Sequence, residues 1–254
     1  MGRAKEAMMQ AWEDEEMVEW IEENIGEDAG EVDSPEWDKA VQAYYDYHER
    51  QQIMEMEDYY QSEYEFYLNE KSPSGTFKRQ IRNIKDLLKV ETTSDAHFSL
   101  LVMLHAHTVA SLEAYLASTF MQKVLNSDVL IRKLVESEPI FSKEQFTLKE
   151  IYIQHERINS KVADHLKKLI FHRIRKVKPM FKTVLNIDFG DIGWLVKAVD
   201  MRHHCVHRAG IDYDGNRVDI TVESVLMLVS SSSLLVENID YSITSMNSDG
   251  DILF

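Results

Sequence analysis

Apolar residues recur at intervals of three and four along nearly the whole chain, the pattern of helices that each bury one face. Only nine glycines and four prolines interrupt 254 residues, too few for the turns of an all-β fold or for long flexible linkers. No internal repeat stands out, and the one candidate extended piece is short, at Arg217–Ile220. The expected fold class is therefore all-α. The length suits one large domain or two small ones, and 44% hydrophobic residues are enough for a buried core rather than disorder. A single cysteine excludes a disulfide framework and any multi-cysteine metal centre.

Residues 4–25 carry Met9, Trp12, Met17, Trp20, Ile21 and Ile25 at helical intervals on a very acidic segment. After the break at 26–35, Ser34 and Pro35 form an N-cap and first-turn pair. They open a helix predicted to run to about Asn69, with Trp37, Val41, Tyr44, His48, Ile53, Met56, Tyr60, Tyr64 and Tyr67 along its stripe. Ser72-Pro73-Ser74-Gly75 ends it and is the best boundary in the chain, giving an acidic helical arm (1–75) and a helical domain (76–254). Beyond it follow an amphipathic helix with Phe77, Ile81, Ile84 and Leu88, and a long buried helix from Thr93-Ser94-Asp95 to about Asn126. A short helix capped by Ser127 ends before Pro139, and one long helix is expected over 143–178, ended or kinked at Pro179. A helix from Asp191 to Arg208 is followed by Gly210, the turn DYDGN and a last helix capped by Thr221.

Charge is distributed unevenly. Residues 1–70 hold 22 acidic and 4 basic side chains, and the other 184 residues hold 22 acidic and 24 basic. The net charge of −16 thus averages an acidic arm with a neutral-to-basic body, and only local charge bears on a phosphate partner. The run LKKLIFHRIRKVKPMFK (166–182) contains Lys167, Lys168, Arg173, Arg175, Lys176, Lys178 and Lys182 and no acid. It reads equally as a solvated face over buried Leu166, Leu169, Ile170, Ile174 and Val177 or as a track for a nucleic-acid backbone. The arm's aromatic and methionine stripe reads as a packing surface, since its acids would repel phosphates. Whether the arm gates a basic face or only extends the structure stays open. The acidic N-terminus lacks the apolar stretch of a signal peptide. The apolar segment FSLLVMLHAHTVASLEAYL includes two histidines and a glutamate, which argues against a membrane span. The expected location is the cytoplasm, with no membrane partner.

The chemistry concentrates in MRHHCVHRAG (201–210). Three readings compete. Basic groups at a helix C-terminus are favourable to its dipole and need no further role. His203 and His207 share a helix face at i, i+4 and could ligate a metal with a third group from elsewhere. Alternatively, Arg202 offers a permanently charged fork for phosphate oxygens and His207 a proton acceptor or donor near neutral pH. Cleavage of RNA through its own 2′-hydroxyl needs those two services and no metal. The two side chains point about 140° apart on a helix, so a two-fold dimer with both helix ends at its seam would supply two of each.

Arg202 and His207 match the R-x(4–6)-H motif of the HEPN superfamily, with His203 where that family has Asn, Asp or His. The stretch WLVKAVDMRHHCVHRAG, then DYDG and a Thr-capped helix, resembles the RH-x2-VHR-x-G variant of prokaryotic HEPN proteins, and the chain is similar to RiboL-PSP-HEPN-like and prokaryotic defence ribonucleases of that superfamily. The likeness covers 76–254 in architecture and about twenty residues in specific motif. It implies a helical bundle that dimerises with both motifs lining one cleft. It further implies a metal-independent endoribonuclease without cofactors, acting as a toxin or antiphage effector with a possible antitoxin or defence partner protein. The alternative is a non-catalytic RNA-binding, nucleotide-binding or assembly module. Arg202, His207 and His203 are then the catalytic candidates, and Arg208, Lys167, Lys168, Arg173, Arg175 and Lys176 the substrate-binding ones. Glu113, on the apolar helix, is a possible support for the pair or a solvent-facing carboxylate. His105 and His107 lie about 200° apart on that helix and do not form one site. Cys205 reads as a small packing residue, and no GxxxxGK loop is present.

Overall fold

The computed structural model describes residues 15–32 and 34–250, with side chains to Met246 in the last helix. Among them are nine α-helices and no strand. They are α1 (15–24), α2 (Pro35–Asn69), α3 (Pro73–Leu87), α4 (Ser94–Leu125), α5 (Asp128–Ser137), α6 (Ile151–Lys167), α7 (Ile174–Leu185), α8 (Gly193–Arg208) and α9 (Val222–Gly250). The helical segment expected from residue 4, with Met9 and Trp12, falls up to residue 14 outside the described residues. The chain divides into two compact units between Ser62 and Glu63, inside α2.

The first unit has its own small core. Ile21, Ala29, Ala40 and Tyr44 are buried together, flanked by Trp20, Trp37 and Val41. The Trp20 ring lies 5.6 Å from Tyr44 and 5.1 Å from Tyr47. Ser34 Oγ accepts the Trp37 N–H at 3.1 Å, satisfying a first-turn donor of α2. The N-terminal half of the aromatic stripe is thus consumed within the arm, while Ile53 and Met56 further along α2 are exposed.

The second unit is built around α4. Half of its 32 residues are buried, and it packs against α3, α5, α6, α8 and α9. Ile84 of α3, Leu112, Leu116 and Phe120 of α4, Leu134 of α5, Leu166 of α6, Phe181 of α7, Leu195 of α8 and Ile239 of α9 share the core. Two described helices, Ser94–Leu125 and Val222–Met246, are long and apolar enough to cross a membrane by length and composition; in α4 most of the apolar stretch is instead covered by its neighbours. Ser72 and Ser127 cap α3 and α5, and Thr221 and Ser224 cap α9 reciprocally.

The expected single helix over 143–178 is two helices, the first beginning only at Ile151, separated at 168–173. Leu166, Leu169, Ile170 and Ile174 keep the helical period, but the chain turns and Phe171, off that stripe, is buried with its ring 6.2 Å from Phe120. Tertiary burial here overrides local propensity. Pro179 neither ends nor starts a helix and lies inside α7. The extended piece at 217–220 is reduced to one bridge between Ile211 and Arg217.

The end of α8 is fixed by its turn. Ala209 and Gly210 both take positive φ, 50° and 81°, and the Gly210 N–H donates to the His204 carbonyl at 3.0 Å, closing the last turn. A Cβ on Gly210 would lie 2.6 Å from Val102 Cγ2 and 2.9 Å from Phe98 Cζ, so the glycine lets α8 end against α4. We expect Gly210→Ala to cost about 2–4 kcal/mol, combining the left-handed backbone penalty with overpacking. Urea unfolding measures this, and a loss under about 1 kcal/mol, less than the backbone penalty alone, would contradict the close approach.

Candidate functional site

Helix α8 presents different residues to different surroundings. His105 of α4, buried, donates its Nε2–H to the Ala198 carbonyl at 3.0 Å, and burial holds its pKa below the usual value, so the neutral ring serves as a link between α4 and α8. One turn after Ala198, Arg202 extends toward α4, its Nη2 3.7 Å from Glu113 Oε2. The same carboxyl oxygen lies 3.6 Å from Nδ1 of His172, in the break between α6 and α7. Glu113 therefore faces inward, between a guanidinium and an imidazole. It is the least exposed of the three, with 16% of its side chain accessible against 25% for Arg202 and 41% for His172.

The electrostatics follow from that burial. Glu113 is pushed up to about 7 by loss of solvent, and the Arg202 charge offsets only part of the effect. His172 is held below the usual imidazole value by burial first, then by the Arg202 and Arg173 charges. Glu113 Oε1 and Arg202 Nε are buried and have no hydrogen-bond partner. Unpaired buried polar atoms destabilise a fold and concentrate where function holds them.

The histidines lie on other faces of α8. His203 and His207 are exposed, with ring centroids 4.8 Å apart. His204 is half-buried, its ring edge-on to Tyr213 at 4.9 Å. The Arg208 guanidinium lies 4.1 Å over the same tyrosine ring. Tyr213 is carried by the DYDGN turn, in which Asp212 Oδ1 accepts the N–H groups of Asp214 and Asn216. Cys205 is buried and its thiol is pushed up to about 11 by burial, which makes it unreactive at neutral pH. No hydrogen bond or ion pair joins Arg202 to His207 among the described residues. Nor do three His, Cys, Asp or Glu side chains there converge as a metal site.

The basic run is split by the helix break. Lys167 pairs with Asp164 at 3.1 Å, and its ammonium lies 5.2 Å over the Tyr64 ring. Lys178 and Lys182 pair with Asp188. Lys168 and Arg173 are exposed at the two ends of the break. Arg175 and Lys176, exposed in the first turn of α7, line a cleft of about 540 Å³ with Glu138, His165 and Leu169. Of the residues expected from sequence, the fold brings Arg202 to Glu113 and His203 to His207. His172 was not singled out, because a continuous helix over 143–178 leaves it on a basic face with no reason to point at α4.

No family model matches the chain, and no curated protein or solved structure matches it either.

The raised Glu113 carboxyl has a consequence for stability. Its folded-state pKa lies above its unfolded one, so the folded protein retains a proton that the unfolded chain releases between 4.5 and about 7. Stability therefore falls as pH rises through that window, by up to about 3 kcal/mol. We expect Glu113→Gln, which cannot ionise, to be more stable than the wild type at pH 8 by up to that amount and nearly equal to it at pH 4.5. Urea unfolding at the two pH values tests this; a difference that does not change with pH would refute it.

Proposed function

We propose that the chain is a metal-independent endoribonuclease of the HEPN kind, cleaving RNA by attack of its 2′-hydroxyl on the adjacent phosphate. The observation that carries this reading is the grouping around the end of α8. One guanidinium stands against a buried carboxyl, and two exposed imidazoles lie 4.8 Å apart. Arg202 holds the phosphate oxygens and stabilises the charge that grows on them in the transition state. His207, with His203 beside it, gives a proton to the departing oxygen. Arg208, Lys168, Arg173, Arg175 and Lys176 take flanking phosphates; Lys167 is partly occupied by Asp164, which leaves it the weakest of these contacts.

Arg202 and His207 do not meet within one protomer, so a homodimer with both α8 ends at its seam supplies the guanidinium and the imidazole from facing copies. The biological setting that goes with this reading is a cytoplasmic toxin or antiphage effector, restrained by an antitoxin or another partner protein. The second reading, a non-catalytic RNA-binding or assembly module, draws on the same separation of Arg202 from His207.

The test is incubation of the purified protein with total RNA in EDTA. Cleavage is expected, falling by about 10²-fold or more in both Arg202→Ala and His207→Ala with the far-ultraviolet helical signal unchanged. Binding of RNA without cleavage would favour the second reading. Undiminished cleavage by both variants would overturn the assignment of the pair.

A further inference from the structure

His172 shares one carboxyl oxygen of Glu113 with Arg202, and the motif on α8 does not include it. It reaches that position because the chain breaks at 168–173 to bury Phe171, which turns the next side chain toward α4. There its Nδ1 lies 3.6 Å from Glu113 Oε2, and the same oxygen is 3.7 Å from Arg202 Nη2. At 3.6 Å the two groups are beyond a hydrogen bond, but a carboxylate on the Nδ1 side favours the tautomer that carries its hydrogen there and leaves the lone pair on Nε2. The ring keeps 41% of its side-chain surface, so it is both oriented from within and reachable from without.

We infer that His172 is the proton acceptor of the site, presented by Glu113 beside the Arg202 guanidinium. This rests on the ribonuclease reading above and assigns the base within it. The 2′-hydroxyl gives its proton to His172 Nε2 as its oxygen bonds to the adjacent phosphorus. The P–O5′ bond breaks, and the departing 5′-oxygen takes a proton from the His203–His207 pair of the facing copy. The products are a 2′,3′-cyclic phosphate and a 5′-hydroxyl, with no oxidant, reductant or metal needed for balance. Glu113 is a positioning residue: it acts through His172 and Arg202.

The groups that face this pair are few. Arg202 comes from α8, and Arg173 acts on His172 from the break itself. Among the described residues, α3, α5, α6 and α9 bring no charged side chain within ion-pair distance of Glu113. Two consequences follow for acidity. Burial and both arginines keep the His172 ring neutral near pH 7, the state a base requires. Glu113 ionises only at about 7, and its protonated form carries no charge to favour the tautomer that leaves Nε2 free to accept a proton. The rate should therefore climb as pH rises through about 7.

The experiment measures cleavage of a short RNA in EDTA from pH 5 to 9 by the wild type, His172→Gln, His172→Ala and Glu113→Gln. The glutamine variants preserve size, and thermal melts confirm folding. His172→Gln is expected to lose about 10²-fold or more in kcat with KM changed little. His172→Ala should regain part of its rate with added imidazole, and Glu113→Gln should lose the rise centred near 7. A wild type that cleaves, with His172→Gln within threefold of its kcat and the same pH profile, overturns this inference and leaves the ribonuclease reading intact. A wild type that does not cleave RNA overturns both.

Discussion

The second unit depends on keeping α4 covered. A 32-residue helix with apolar side chains on most of its circumference must be covered by neighbours on several sides, and α3, α5, α6, α8 and α9 provide that cover. Each fully buried Leu or Phe at this centre contributes about 1.5–3 kcal/mol. The sum easily exceeds the cost of the few polar groups that α4 carries inward. Those groups are therefore affordable in energetic terms, and they are where chemistry enters. His105 spends its polarity on the Ala198 carbonyl, which registers α8. Glu113 has no comparable hydrogen bond and stands between Arg202 and His172.

That arrangement sets stability against reactivity. A carboxyl held by burial with a pKa near neutrality opposes folding above pH 7. The guanidinium beside it keeps one buried nitrogen without a partner. An apolar residue in place of Glu113 would pack more cheaply, as buried ionic groups often can be replaced without loss. What the carboxyl provides is orientation: it stands within 4 Å of one imidazole and one guanidinium, the two groups that the proposed ribonuclease chemistry uses. The fold supports this from the other side through Gly210, which lets α8 terminate against Phe98 and Val102, and through Tyr213, which packs on His204 and Arg208.

The helical character was legible because periodicity and capping residues agreed along most of the chain. Ser34, Ser72, Ser127 and Thr221 all end or begin elements where their hydroxyls satisfy first-turn N–H groups, and such local chemistry can be read without the fold. The break at 168–173 could not be read in that way. Leu166, Leu169, Ile170 and Ile174 keep a helical pattern, and the burial of Phe171 beside Phe120 of α4 is a long-range contact that local sequence does not announce. The site shows the same division. Arg202, His203 and His207 were visible as a local cluster, and Glu113 as an acid in an apolar run. His172 was hidden because its position beside Glu113 follows from the break. The run of cations was legible as composition, yet Lys167, Lys178 and Lys182 turn out to be paired with nearby acids, which linear charge counting does not reveal.

The account turns on the environment of one carboxyl. Carbon-13 titration of side-chain glutamate carboxyls, with Glu113→Gln identifying the resonance, measures it directly. A Glu113 carbon that titrates at about 7, accompanied by a shift in the His172 ring resonances, is the predicted result. A Glu113 that titrates in the ordinary carboxylate range with His172 unaffected would mean that the carboxyl is solvated and uncoupled, and the described geometry of the site would be wrong.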